Sequence, residues 1–294
     1  MRARKYPRQM LSLLKDAEWV DTTRRPYVKG NDAFIPVKEG YAADVEIAEK
    51  TPYAGRGYQL LGDVALLHGR PPTEKEIAEI CDWIHPRGIV YVSGYSGEKR
   101  IPAATVVYGE CGEVCHHEAG FIFYLDPLRV MFAMGNREEK IRISAVISES
   151  AKNRSIRCAD MFAGVGYFTI PAAVHGATVH AMEINPDSFG YLQKNCAANG
   201  VDARVTPELG DCRDSLSGRY DHILMGHFDA LAFLPDACAH ARRGTVLHVH
   251  TVGEQAEAIS RICAEAGFST KITPYKVKKY APGAWHMVHD VVIQ

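Results

Sequence analysis

The chain has 294 residues, 47% of them hydrophobic and 23% charged, with a net charge of -1. That is the make-up of a globular chain of one large or two moderate domains. It excludes a polycation, so nucleic acid can be met only through local basic patches, and no apolar run approaches the length of a bilayer span.

Residues 1–8 carry charge without an apolar signal core, which points to the cytoplasm. The eight cysteines include no CxxC pair. Cys111 and Cys115 stand beside His116 and His117 but lack a second ligand pair, so reduced thiols and no metal are expected. Arg2, Arg4, Lys5, Arg8, Lys15, Arg24, Arg25 and Lys29 form one basic patch. In chain order, helices are expected over 7–16 and 73–84. Strands are expected over 58–67, 89–92 and 105–108, and a hairpin near 113–125. From there strands and helices alternate. Strand 156–162 is followed by helix 167–175, strand 178–183, and helix 186–199 with Pro186 in its first turn. Strands 204–209, 222–225 and 245–251 come next, then a helix over 254–266 closed by Gly267. The chain ends in a strand pair over 271–280 and 284–293. There Lys271, Lys276, Lys278 and Lys279 interleave with Tyr275 and Tyr280, a pattern suited to phosphate contact and base stacking.

Alternation of this kind builds a mainly parallel sheet with helices on both faces. The expected fold is α/β: a Rossmann-like sheet of the class I S-adenosylmethionine-dependent methyltransferase type over 119–294, behind a small α+β domain over 1–118. A terminal strand pair suits that type better than a plain dinucleotide fold.

The chemistry centres on the first strand of the alternating half. Asp160 ends it, Gly164 and Gly166 make a tight turn, and Glu183 ends the next strand. A glycine turn packs under an adenosine while the acid accepts from its ribose hydroxyls. No third glycine follows, and Tyr167 and Phe168 crowd the place where a pyrophosphate would sit. An acid at the turn entry suits a ligand with a positive end, such as S-adenosylmethionine. Asp211 and Cys212 end the third strand, where the adenine lies in this fold.

Several segments carry a resemblance. They are Gly97 to Arg100, 132–142 with Glu139 and Arg142, the Asp160 to Gly166 turn, and Glu183 to Pro186. Further along come Gly210 to Asp214, Leu224 to Gly226, and Lys276 to His286 with the run Tyr280, Ala281, Pro282, Gly283, Ala284, Trp285 and His286. In this order, over about two-thirds of the chain, they resemble the archaeal-type transferases that modify the purine 3′ of the tRNA anticodon. That family holds a guanosine N1-methyltransferase and a wybutosine-pathway aminocarboxypropyltransferase. The methyltransferase has an Asn-Leu-Pro type loop after the fourth strand. Met225 and Gly226 stand there instead and look like the aminocarboxypropyltransferase, which commonly lacks the extra N-terminal domain of its relative. This chain has little room for such a domain.

The resemblance implies a tRNA substrate met at the anticodon loop of tRNA-Phe, S-adenosylmethionine as donor, and no obligate protein partner. It implies cofactor contacts at Lys140 and at the backbone of Ala133, and places Arg100 and Glu139 near the target base, as charge stabiliser and proton acceptor. Tyr167, Phe168, His227 and Trp285 are candidates for stacking on a splayed base. His248 and His250 read as strand-lining residues. The alternatives are the guanosine N1-methyltransferase, a non-catalytic tRNA-binding protein that keeps the cofactor fold, and a small-molecule methyltransferase.

Overall fold

The computed structural model describes residues 1–47 and 53–294. The chain divides into two compact units, Met1–Ala54 and Gly55–Gln294.

In the first unit, Asp32–Pro36 and Arg2–Pro7 pair antiparallel at the centre of a four-stranded sheet, flanked by Tyr27–Lys29 and Val45–Glu46. Ala3, Ala33 and Ile35 are buried. The helix expected over 7–16 is cut to Leu11–Leu14. The chain before it is extended, and its charges are spent locally. Arg2 and Arg4 donate to the carbonyls of Tyr41 and Ala42, both at 2.8 Å, and the Arg4 guanidinium lies 4.6 Å from the Trp19 ring centre.

The second unit opens on a four-stranded sheet of Gln59–Leu61, Val64–His68, Gly88–Ser96 and Ile101–Gly109. Its two parallel strands are joined through the helix Glu74–Ile84, which starts on a capping box between Thr73 and Glu76. A hairpin of Val114–Glu118 and Phe121–Leu125 follows.

The larger sheet has seven strands: β1 (Ile156–Asp160), β2 (Ala177–Glu183), β3 (Val205–Leu209), β4 (His222–Met225), β5 (Val246–Val252), β6 (Thr270–Ala281) and β7 (Ala284–Ile293). Their spatial order is 3-2-1-4-5-7-6. The first five are parallel, and β7 runs antiparallel to both β5 and β6. Five helices of six or more residues attend it: α1 (Arg137–Ala151), α2 (Thr169–Val174), α3 (Pro186–Ala198), α4 (Ala230–Ala239) and α5 (Ala256–Glu265). Neighbouring residues on β1 serve opposite faces, as the strand period requires. Cys158 joins a core with Ile143, Ile147 and Leu192, whereas Ala159 joins one with Leu234, Ala237 and Ile259. Thus α1 to α3 cover one face, and α4 and α5 the other.

The boundary expected at 118/119 falls inside the second unit. Leu61, Val64 and Val90 share one core with Phe123, Phe132 and Cys158. Two side-chain amides, Asn195 of α3 and Asn199 at its C-cap, also cover the hairpin edge. Asn195 accepts from the Tyr124 amide at 2.6 Å and donates to the Tyr124 carbonyl at 3.0 Å. Asn199 does the same for Ile122 at 3.0 and 2.7 Å. An edge sealed in this way does not part as a domain boundary.

Candidate functional site

The carboxyl ends of β1, β2 and β4 meet where the strand order reverses, the usual crevice for a ligand in an open α/β sheet. Between β1 and α2 the chain turns through Gly164 (φ +57°) and Gly166 (φ +103°). A Cβ on Gly164 would stand 2.5 Å from the Tyr167 ring, and one on Gly166 would stand 2.7 Å from Ile170 Cδ1. Both the left-handed backbone and the close packing therefore require glycine.

Glu183 braces this turn. Its Oε2 accepts from the Gly164 amide and its Oε1 from the Asn185 amide, each at 2.7 Å. Burial raises its carboxyl pKa, and these amides oppose the rise. A carboxylate has about four acceptor sites, so Glu183 keeps acceptor capacity beyond these amides. Asn185 also caps α3 and donates through Nδ2 to the Lys99 carbonyl at 3.0 Å. That bond ties the Gly97 to Arg100 turn to the end of β2. Arg100 itself sits at φ +51°, a strained conformation for a non-glycine residue.

A cavity of about 410 Å³ occupies the crevice, within the range of small-ligand sites. Of the expected cofactor residues, Ala133, Gly164, Glu183, Asp211 and Cys212 line it, and so does Arg100. Tyr167, Phe168 and His227 line it as well. The Asp211 carboxylate accepts from the Arg213 amide at 2.9 Å, and the Arg213 guanidinium holds its pKa down. Burial pushes the Cys212 thiol up to about 12. A second cavity of about 300 Å³ shares Arg100, Ala133, Asn136, Gly226 and His227 with the first. Gly226 faces Phe168 so closely that a Cβ would stand 2.9 Å from the ring.

Four expected site residues lie outside both linings. Asp160 is fully buried beneath the turn and accepts from Thr169 Oγ1 at 2.7 Å; burial pushes its carboxyl up to about 6. Gly166 packs on Ile170. Lys140 is fully buried and ion-paired with Glu118, and its Nζ is ringed by Phe123, Phe132 and Tyr167 at 5.3, 4.8 and 5.4 Å. Burial lowers its pKa. Glu139 is buried and holds Arg142 through two 2.8 Å bonds. Arg142 in turn reaches Asp290 at 2.5 and 3.0 Å. With both its oxygens engaged inside the fold, Glu139 is not set to take a proton from a base in either cavity. Trp285 lies outside both linings too, under Lys276 Nζ at 5.2 Å. His248 and His250 are buried on β5, as expected of strand-lining residues.

Sequence reasoning missed Asn136, Met161, Phe162, Ser188 and Phe233 as lining residues. All but Phe233 lie within or two residues from a motif segment, and nearness to those segments was the available signal. Among the described residues, no helix is long and apolar enough to cross a membrane.

The family model described as the TRM5/TYW2 methyltransferase domain matches residues 114–277. The chain is 35% identical to the tRNA(Phe) (4-demethylwyosine(37)-C(7)) aminocarboxypropyltransferase of Methanocaldococcus jannaschii, over 80% of this chain and 97% of that protein. Among solved structures it is similar to Trm5b of Pyrococcus abyssi, with a TM-score of 0.72 and 25% identity over 99% of both chains. It is also similar to M. jannaschii TYW2 in complex with AdoMet, with a TM-score of 0.64 and 27% identity over 81% of this chain and 99% of that one. The full-length match to Trm5b and the separate unit Met1–Ala54 stand against the expectation that this chain has little room for the extra N-terminal domain of the methyltransferase. The strand order, the glycine turn braced by a β2 carboxylate and these likenesses agree: the chain belongs to the TRM5/TYW2 family.

Proposed function

We propose that the protein transfers the 3-amino-3-carboxypropyl group of S-adenosylmethionine to the demethylwyosine base 3′ of the anticodon of tRNA-Phe and releases methylthioadenosine. The observation that carries this reading is the pair of cavities that share Arg100, Gly226 and His227, in a chain whose near-full-length relative is named for that reaction. The larger cavity takes the donor and the smaller one the acceptor base.

The sulfonium activates three carbons, and the one in line with the nucleophile is transferred. For aminocarboxypropyl transfer, the acceptor carbon attacks the γ-carbon and the γ-carbon–sulfur bond breaks. Its electron pair goes to sulfur, which leaves as a neutral thioether. Glu183 accepts from the ribose hydroxyls, and Asp211 with the backbone at Cys212 meets the adenine. Gly164 and Gly166 let the turn approach, and the backbone at Ala133 closes the donor's other side. Asp160 places a carboxylate beneath the turn, where a cationic donor benefits from it. Lys140 and Glu139 act at one remove. Lys140 holds the aromatic wall together with Glu118, and Glu139 fixes Arg142. Arg100 meets the acceptor base or its phosphate. The exposed Arg8, Lys15, Arg25 and Lys29 and the lysines of β6 bind tRNA phosphates. The protein works in the cytoplasm without an obligate protein partner.

A second reading, guanosine N1-methylation at the same tRNA position, is favoured by the full-length likeness to Trm5b. Product analysis separates the two. The protein is incubated with S-adenosylmethionine and tRNA carrying the wybutosine precursor, and the nucleoside by-product is identified by mass spectrometry. Methylthioadenosine supports the first reading; S-adenosylhomocysteine overturns it in favour of the second. Binding of tRNA that weakens steeply with salt supports a nucleic-acid substrate over a small molecule.

A further inference from the structure

Alkylating a ring carbon leaves one proton to be removed, and Glu139 is locked away from the reacting groups. The acceptor cavity supplies another candidate. Arg100 Nε, Asn136 Oδ1 and His286 Nδ1 are buried without a hydrogen-bond partner, and all three residues line this cavity. Unpaired buried polar atoms are rare in native folds, and three around one cavity mark a place where a ligand completes the bonding.

His286 is 1% exposed on β7. Its Nε2 lies 2.9 Å from His250 Nδ1 on β5, and its ring packs edge-on against Phe228 at 5.0 Å. Burial, together with the charge of Lys278, pushes its pKa down to about 4, so the ring is neutral at neutral pH. With the ring proton on Nε2 and donated to His250, Nδ1 carries a free lone pair. His227 also lines the cavity, but its Nδ1 accepts from the Asp229 amide at 3.2 Å. Its neutral ring therefore presents only an N–H. His68, another lining residue, is exposed to solvent.

We propose that His286 is the proton acceptor of the transfer, with Nδ1 meeting the acceptor base at the carbon that is alkylated, while Arg100 and Asn136 hold the base's edge. The proposal rests on the functional reading above. The ring π pair forms the new carbon–carbon bond, and the γ-carbon–sulfur pair stays on sulfur. The carbon–hydrogen pair then restores the ring, and the proton passes to Nδ1. The positive charge of the sulfonium becomes that of the imidazolium, which returns its proton to solvent.

The test is single-turnover release of methylthioadenosine from precursor tRNA by the full chain and by His286→Ala and His286→Gln, with S-adenosylmethionine binding measured on each. Both variants are expected to bind the donor as wild type does and to lose about 100-fold or more in rate, the scale of a general base. Added imidazole is expected to restore part of the rate of His286→Ala, an effect that a purely structural histidine would not show. A rate for His286→Gln within about threefold of wild type would overturn the proposal, since a hydrogen-bonding side chain without a base would then suffice. Wild-type protein that releases no methylthioadenosine would instead overturn the functional reading, and the proposal with it.

Discussion

The Gly164 amide donates to Glu183 Oε2 at 2.7 Å, across the gap between the ends of β1 and β2. The residue proposed to hold the ribose is therefore also the brace of the turn beneath it. Glu183→Ala removes both functions. It is expected to weaken S-adenosylmethionine binding by about 1.5–3 kcal/mol, the scale of hydrogen bonds to a charged group. Titration calorimetry on the variant checks this, and an unchanged affinity would remove Glu183 from the donor site.

Asp160 carries a pH dependence with a definite sign. Its carboxyl ionises near 6 in the fold because burial raises it, against an ordinary 3.8. Between those values the folded chain keeps a proton that the unfolded chain has lost. Stability from this group thus falls as pH rises from about 4 to 6, by about 3 kcal/mol, and stays lower above that. Asp160→Asn should remove this slope and unfold at higher denaturant than wild type at pH 7.5. It should also bind the cationic donor less tightly there, because the buried negative charge is gone. Denaturant midpoints for both proteins at pH 5 and 7.5 decide the first point, and donor titrations the second. A variant with the wild-type slope would mean that another group sets it.

The part of the site that was legible in the sequence is the part built from consecutive residues. Asp160, Gly164, Gly166 and Glu183 lie on two strands joined by one helix, so strand ends and glycines located them. The helix α1 was not legible as a helix. Its buried residues include Glu139, Lys140 and Ser144 beside Ile143 and Ile147, and the charges break the apolar period. In α4, Pro235 stands inside the helix and argues against one. The strand Arg2–Pro7 reads as a charged tail because its arginines find carbonyls that no spacing reveals. Asn136 and His286 are 150 positions apart, and only the sheet order brings them to one cavity.

Arg142 ties α1 to β7 by bonding Glu139 and Asp290 together, while His248 Nδ1 donates to Asp290 at 2.6 Å. Desolvation would raise the Asp290 carboxyl, but His248 and Arg142 outweigh it and hold the pKa below the ordinary value. Arg142→Met leaves the buried Glu139 carboxylate and the half-buried Asp290 carboxylate without the guanidinium that joins them. The expected cost is about 3–5 kcal/mol of unfolding free energy at pH 7, read by urea denaturation. The loss should shrink below about pH 4, where the depressed carboxylate's contribution is fading in the wild type as well. A loss under about 1 kcal/mol would mean that water replaces the guanidinium.

Gly226 and Phe168 are in contact with no room between them, since a Cβ at 226 would stand 2.9 Å from the ring. Gly226→Ala must therefore displace Phe168, which lines the donor cavity. The transfer needs the γ-carbon in line with the acceptor, and a misplacement of about 1 Å costs on the order of 100-fold in rate. The expected outcome is donor affinity within about 1 kcal/mol of wild type but a rate of methylthioadenosine release down by that factor. Full activity in the variant would show that the Phe168 ring yields without cost and that the corner does not set the donor's pose.

Arg100 combines strain with exposure to both cavities, and the two can be separated. Its φ of +51° is a conformation that glycine adopts freely. Arg100→Gly should leave stability unchanged or raise it by up to about 1 kcal/mol, because relief of strain offsets the greater freedom of the unfolded chain. The same variant loses the guanidinium at the acceptor cavity, so tRNA transfer should fall by about 100-fold, the scale of removing one stabilising donor. Donor binding should hold, since Glu183, Asp211 and the glycine turn are untouched. Thermal melts, donor titrations and single-turnover rates on this one variant read the three effects apart. A normal transfer rate would take Arg100 out of the acceptor site and leave its strained backbone as a feature of the Gly97 to Arg100 turn alone.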